Sequence, residues 1–323
     1  MLIFICSSIK SANALETVAY ITDSGSNNVS VIDTSTNTVI DTILVQTSPA
    51  GDAVSPDGTE VYVANTGSNT VSVIDTSTDM VTATITVGAS PEEIAVSPHG
   101  TEVYVTNTGS NNVTVIKAST DTVKTTITVG SHPEGIAISP DGTEVYVANA
   151  GSDTVSVIAT STDKVAVTIT VGTSPEGIAV NPDGMEIYVT NTGSNNVSII
   201  DTAKDAHEDQ VVTVLPVGKE PEGIAVTPDG KEVYVVNHGS DDVSVIDTET
   251  DTVIHTVGIG NAPVSFGKFI GPKHKGGLGG GGGCSLQSIS SRVNSFYLLM
   301  MIFGMPALIF LRSKMSNYKK KLS

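Results

Sequence analysis

The sequence predicts an all-β chain folded as a β-propeller of six four-stranded blades, and three observations carry that prediction. A single phrase recurs, so that Tyr20, Tyr62, Tyr104, Tyr146, Tyr188 and Tyr234 follow one another at steps of 42, 42, 42, 42 and 46 residues. A period of this length marks a repeat architecture. Within each period, apolar residues alternate with polar ones instead of recurring at helical spacing. Four such runs fit in one period, which is the strand count of a propeller blade.

The elements can be read in order along one copy. "TEVYVAN", "TVSVID" and "TATITVG" are runs rich in Val, Ile and Thr, and a fourth short run, "EEIAVS", precedes the next Pro-Asp-Gly or its counterpart. The turns agree. Pro56-Asp57-Gly58 recurs as Pro140-Asp141-Gly142, Pro182-Asp183-Gly184 and Pro228-Asp229-Gly230. It supplies a fixed φ, then a residue free to take a positive one. "NTGSN" and "DTSTD" close the next two hairpins through Asx and Ser/Thr side-chain turns. No helical pattern interrupts the repeats.

Counting strands indicates how the ring closes. Tyr20 has no "SPDG" before it, so the first copy lacks its innermost strand. At the other end, Pro263-Val264-Ser265-Phe266-Gly267-Lys268-Phe269 matches the start of an innermost strand with no repeat after it. Pairing the spare strand with the incomplete blade gives six blades. It also removes the unpaired edge of an open ring.

Composition sets limits on function. Aromatic residues make up 4% and Trp is absent, so the blades pack through Val, Ile, Ala and Thr. The formal charge is −18, unevenly placed: residues 1–267 hold 7 basic and 34 acidic residues, while 268–323 hold 9 basic and none acidic. Such a propeller repels nucleic acid and anionic membrane surfaces and tolerates or attracts cations. Solubility alone also accounts for the charge.

Both ends read as addresses. Residues 1–14 carry a short apolar run and then Ala12-Asn13-Ala14, an A-x-A pattern that marks Ala14 as a signal-peptide cleavage point; a disordered cytosolic tail is the alternative. Residues 15–271 hold the repeats, and 272–295 form a Gly-rich linker. Residues 296–311 are apolar and uncharged, short for a full membrane span. The basic tail, 312–323, contains Arg312, Lys314 and Lys319-Lys320-Lys321. By the positive-inside rule this places the propeller on the extracytoplasmic side of a C-terminal membrane anchor. A core helix is the other reading of 296–311, but the sequence offers no second helix to pack on it.

The cores "YVAN" and "YVTN", the "SPDG" turns, runs such as "TVSVIDTSTDMV" and the closing "FGKFIG" resemble the YVTN family of β-propeller repeat proteins, which is related to surface-layer proteins. The resemblance covers residues 18–271. It implies a propeller displayed at the cell surface, commonly with seven blades, and no agreed enzymatic activity. The Gly run, Cys284, apolar segment and basic end are similar to the three-part C-terminal sorting signals of prokaryotes. That likeness implies processing near Cys284.

Catalysis in a ring of near-identical blades must come from departures from the repeat. The six His residues (99, 132, 207, 238, 255 and 274) show no ligand spacing, and Cys6 and Cys284 lie outside the repeats. There is no nucleophile elbow or phosphate loop. Asp33, Asp75, Asp201 and Asp247 close the third strand, where two copies have Lys117 and Ala159; they read as turn starters. The insertion near "AKDAHEDQ" lengthens one hairpin.

Two features suggest binding or modification. Glu92, Glu134, Glu176 and Glu222 stand at the entrance of four consecutive innermost strands, around one mouth of the channel. They form a candidate cation ring suited to Ca2+, the only ligand that would count as a cofactor; solvent-facing turn residues are the alternative. Asn28, Asn112 and Asn196 begin N-glycosylation sequons on the same hairpin of alternate blades.

Two function classes follow. The first is a non-enzymatic, envelope-anchored module for surface-layer, adhesion or protein-interaction roles. Its partners are envelope proteins or surface polysaccharide, together with the membrane through the C-terminal segment. The second is an extracytoplasmic lactonase-like enzyme, or a ligand or cation sensor, that uses the channel mouth.

Overall fold

The structure is a computed structural model and describes residues 18–202 and 210–263. The described chain forms 23 β-strands in six antiparallel sheets, and each sheet is a meander of consecutive strands. Blade 1 holds β1 (Val18–Asp23), β2 (Asn28–Asp33) and β3 (Thr38–Leu44). Blade 2 holds β4 (Pro49–Val54), β5 (Glu60–Asn65), β6 (Thr70–Asp75) and β7 (Met80–Thr86). Blades 3 to 6 repeat that four-stranded plan.

The innermost strands of blades 3 to 6 are β8 (Pro91–Val96), β12 (Pro133–Ile138), β16 (Pro175–Val180) and β20 (Pro221–Val226). Each packs against the innermost strand of the next blade, from β4 through to β20, and β1 packs against β4. This is a six-bladed β-propeller. The strand expected to complete blade 1 lies, from residue 264 onward, outside the described residues, as do the linker, the apolar segment and both processing positions, Ala14 and Cys284.

The core lies between blades. Tyr62, Val73 and Ile85 of blade 2 face Ile94, Val103, Val105 and Ile116 of blade 3, and the pattern recurs at the other seams. Tyr62, Tyr104 and Tyr188 have no solvent exposure, so their hydroxyls need partners. Each finds the Glu two residues earlier on its own strand face: Tyr62 donates to Glu60 at 2.5 Å, Tyr104 to Glu102 at 2.7 Å, and Tyr188 to Glu186. Buried Asn65 and Asn107 cross-brace their blades by donating to Ser72 Oγ at 3.0 Å and Thr114 Oγ1 at 2.9 Å.

The turns behave as their sequences require. Gly58 takes φ 73°, and Asp57 Oδ1 accepts from Ser55 Oγ at 2.7 Å and from the Thr59 N–H at 3.1 Å. In the third hairpin Asp75 accepts the Ser77 N–H at 2.8 Å, and Asp79 follows at φ 52°. Asp33 and Asp247 accept the Ser35 and Thr250 N–H groups in the same way, so these third-strand aspartates are turn starters; the turn after Asp201 lies outside the described residues.

Every innermost strand breaks register with its neighbour after the initial proline, between Pro49 and Asp52 in blade 2 and at the equivalent points in blades 3 to 6. The second and third residues of each inner strand form a bulge, a device that re-aims side chains next to functional sites. These bulges sit at the mouth where sequence analysis placed the glutamates.

Candidate functional site

Sequence dictates most of the mouth. The inner strands read PAGDAV, PEEIAV, PEGIAI, PEGIAV and PEGIAV in blades 2 to 6. The third position is glycine in four of the five because neighbouring strands nearly touch there. A Cβ on Gly51, Gly135 or Gly177 would lie 2.4, 2.1 or 2.3 Å from the carbonyl oxygen of Glu92, Glu176 or Glu222. Hydroxyls stitch the same seams. Thr22 donates to Ala50 O at 2.6 Å, Thr106 to Glu134 O at 2.9 Å and Thr190 to Glu222 O at 2.9 Å. Thr66, Thr108 and Thr192 donate to the carbonyls of Pro91, Pro133 and Pro221 at 2.6, 2.8 and 2.7 Å.

Glu92, Glu134, Glu176 and Glu222 occupy the equivalent second position of four bulges, half-buried and each with a polar partner. Glu176 accepts from Thr192 Oγ1 at 3.0 Å. Glu222 lies 3.8 Å from His238 Nδ1, whose nearer partner is Glu220 at 3.3 Å. Among the described residues, no group of three or more His, Cys, Asp or Glu side chains is placed to hold a metal ion. The four glutamates therefore share a position without converging.

Two other carboxyls break the repeat. Asp52 stands where blades 3 to 6 have Ile94, Ile136, Ile178 and Ile224, and Glu93 stands where the others have glycine. Asp52 is fully buried, and neither carboxyl oxygen has a hydrogen-bond partner. Burial, and then the neighbouring charge of Glu93, push its carboxyl well above the usual range. Glu93 keeps partial solvent access, and one carboxyl oxygen lies 3.1 Å from the point a Gly51 Cβ would occupy. Desolvation at the centre of the ring, with the charge of Glu92, raises Glu93 to about 8, against the lowering effect of the Ile94 N–H. Near neutral pH Glu93 mainly holds its proton.

Sequence reasoning missed Asp52 and Glu93, although the signal was there. Aligning the five inner strands exposes an acid in an isoleucine column and another in a glycine column.

Elsewhere, a cleft of about 300 Å³ between blades 4 and 5 is lined by Ser139, Asp141, Glu144, Tyr146, Asp183 and Thr202. These belong to the repeated phrase, so the cleft is a groove of the repeat. Of the sequon asparagines, Asn28 begins β2 half-buried. Asn112 and Asn196 accept from Asn107 and Asn191, both at 2.8 Å.

Comparison with known proteins agrees with the architecture. A family model described as YNCE-like beta-propeller matches residues 93–214, and one described as lactonase, 7-bladed beta-propeller matches residues 12–129. Each spans less than half of the chain. No curated protein matches the sequence. Among solved structures, a functionally unknown protein from Desulfotomaculum acetoxidans superposes with TM-score 0.68 at 20% identity, covering 74% of this chain and 79% of its own. A protein from Bacteroides uniformis, provisionally described as a 6-phosphogluconolactonase, gives TM-score 0.66 at 20% identity, covering 77% and 82%. These likenesses show the propeller fold.

Proposed function

We propose that this chain is a non-enzymatic, envelope-displayed propeller that binds envelope proteins or surface polysaccharide through the acidic mouth of its ring. One observation carries the reading: four successive blades hold Glu92, Glu134, Glu176 and Glu222 at the equivalent position of an inner-strand bulge. A repeated surface of this kind suits multivalent contact, whereas a single reaction needs one asymmetric set of groups. The Gly-rich linker, apolar segment and basic end supply the display. Protease added to intact cells, after any outer membrane is opened, is expected to release the propeller. Full protection of the propeller would overturn the display. Binding to isolated envelope material that is unchanged when all four glutamates become glutamine would overturn the role of the mouth.

A second reading, a lactonase-like enzyme, is favoured by the family match over residues 12–129, which contains both Asp52 and Glu93. The charge of the site limits its substrates. The described residues include five lysines and no arginine, so an anionic sugar lactone meets an acidic mouth without a guanidinium clamp. Neutral lactones are the substrates to assay. Hydrolysis that Glu93→Gln abolishes would establish this reading over the first.

A further inference from the structure

We propose that Asp52 and Glu93 form a site for one divalent cation, with Ca2+ the best fit, at the inner strands of blades 2 and 3. The inference does not rest on envelope display or on binding at the outer mouth. It starts from a comparison the chain makes with itself. Isoleucine fills the Asp52 position in four blades, so an apolar side chain fits there and the acid is the costly choice. Asp52 lies on β4, the inner strand of blade 2, which packs against β1 of blade 1. Its carboxyl has no solvent exposure and no partner for either oxygen.

Protonation removes the charge of such a group but leaves its hydrogen bonds unmade, so the desolvation penalty stands. A cation removes both costs. The second departure from the repeat, Glu93, sits on the adjoining strand, and its carboxyl reaches back against Gly51, the residue before Asp52. Two independent departures put a second carboxyl on the adjoining strand, within electrostatic reach of Asp52, where the repeat has none.

The setting selects the kind of ligand. Full burial of the Asp52 oxygens admits a single ion and excludes an organic molecule. Two carboxylates balance a charge of +2, and oxygen donors suit a hard cation. Ca2+ completes its shell from backbone carbonyls and water more flexibly than Mg2+ does. The net negative charge of the propeller concentrates cations around it.

The test uses reversion to the chain's own repeat. Full-length protein is stripped with chelator, and its melting is followed at pH 8.5 with and without 5 mM Ca2+ (about a five-thousandfold excess over a micromolar site). Wild type is expected to gain about 3 °C or more. Asp52→Ile with Glu93→Gly restores the repeat and is expected to lose the Ca2+ response. Asp52→Asn, which keeps the shape and removes the charge, should lose most of it. Calorimetry with Ca2+ alone should show one ion bound per wild-type chain. Equal Ca2+ shifts in wild type and the double variant, or no shift and no binding heat in wild type, would overturn the site.

Discussion

The Thr190 hydroxyl in blade 5 accepts the Gly177 N–H of its own inner strand at 2.7 Å and donates to the Glu222 carbonyl of blade 6 at 2.9 Å. One side chain thus ties two strands of its own blade and one of the next. Thr106 does the same between blades 3 and 4, bridging the Glu93 N–H at 3.0 Å and the Glu134 carbonyl at 2.9 Å. Even-numbered blades have Ala64, Ala148 and Val236 at this position, so the alternation of "YVTN" with other cores decides which seams carry this bridge.

The first prediction follows from that relationship. Thr190→Val keeps the volume and removes both hydrogen bonds, leaving a buried N–H and a carbonyl short of partners. Stability should fall by about 1–2 kcal/mol. Ala148→Thr in an unstitched seam should cost less. Denaturant midpoints of the two variants would show this, and equal midpoints for Thr190→Val and wild type would remove the stitch from the account of stability.

The second prediction concerns the close approach of inner strands. A Cβ on Gly135 would stand 2.1 Å from the Glu176 carbonyl oxygen, a backbone atom that cannot yield without moving the strand. Gly135→Ala should therefore cost about 3 kcal/mol or more. Gly25 provides the control, because nothing lies within 4 Å of its Cβ position. Gly25→Ala should melt close to wild type, and a mild Gly135→Ala would show that neighbouring inner strands are packed more loosely than described.

How much of this was legible beforehand depends on whether a feature belongs to the repeat or departs from it. The period of the tyrosines announced the blades, and the Pro-Asp-Gly, "NTGSN" and "DTSTD" phrases announced the three hairpins, because each rests on local chemistry that recurs from blade to blade. Contacts between blades were not legible. That Gly135 faces a carbonyl of the next blade, or that Thr106 bridges two blades, depends on the spacing of sheets that a single repeat does not encode. The glutamate entrance was found but not its bulge, which depends on pairing with the neighbouring strand. Asp52 and Glu93 lay in plain view as exceptions within two columns. Their meaning came only from burial and from the missing partners of Asp52.

The third prediction is acid sensitivity. Hydrogen bonds from Ser55 and Thr59 hold Asp57 below the usual carboxylate range, and those from Ser77 and Thr78 hold Asp75 there. Asp33, Asp141, Asp229 and Asp247 are lowered in the same way by Ser and Thr donors near them in sequence. A carboxyl depressed in the folded state contributes stability above its unfolded value and loses it as pH falls through the folded value. The melting temperature should therefore drop from about pH 4 downward. Asp57→Asn combined with Asp75→Asn should lower it at pH 7 and flatten its acid limb. An unchanged acid limb in that variant would show that these turns are not linked to unfolding.

The last prediction concerns closure of the ring. Among the described residues, blade 1 has three strands, and β1 pairs only with β2, leaving its other edge without a strand. Every other blade has an inner strand beginning with proline, and Pro263-Val264-Ser265-Phe266 follows the last described strand with the start of that phrase. An unpaired edge in a propeller invites pairing with another chain. Removing residues 263–271 while keeping the linker and tail should lower the melting temperature and promote concentration-dependent association. Replacing Phe266 by Asp is a subtler version, since this residue aligns with the isoleucine column of the other inner strands. It should destabilise by about 2–4 kcal/mol if the segment is built into blade 1. A deletion variant that melts like the full chain and stays monomeric would mean that blade 1 is complete with three strands.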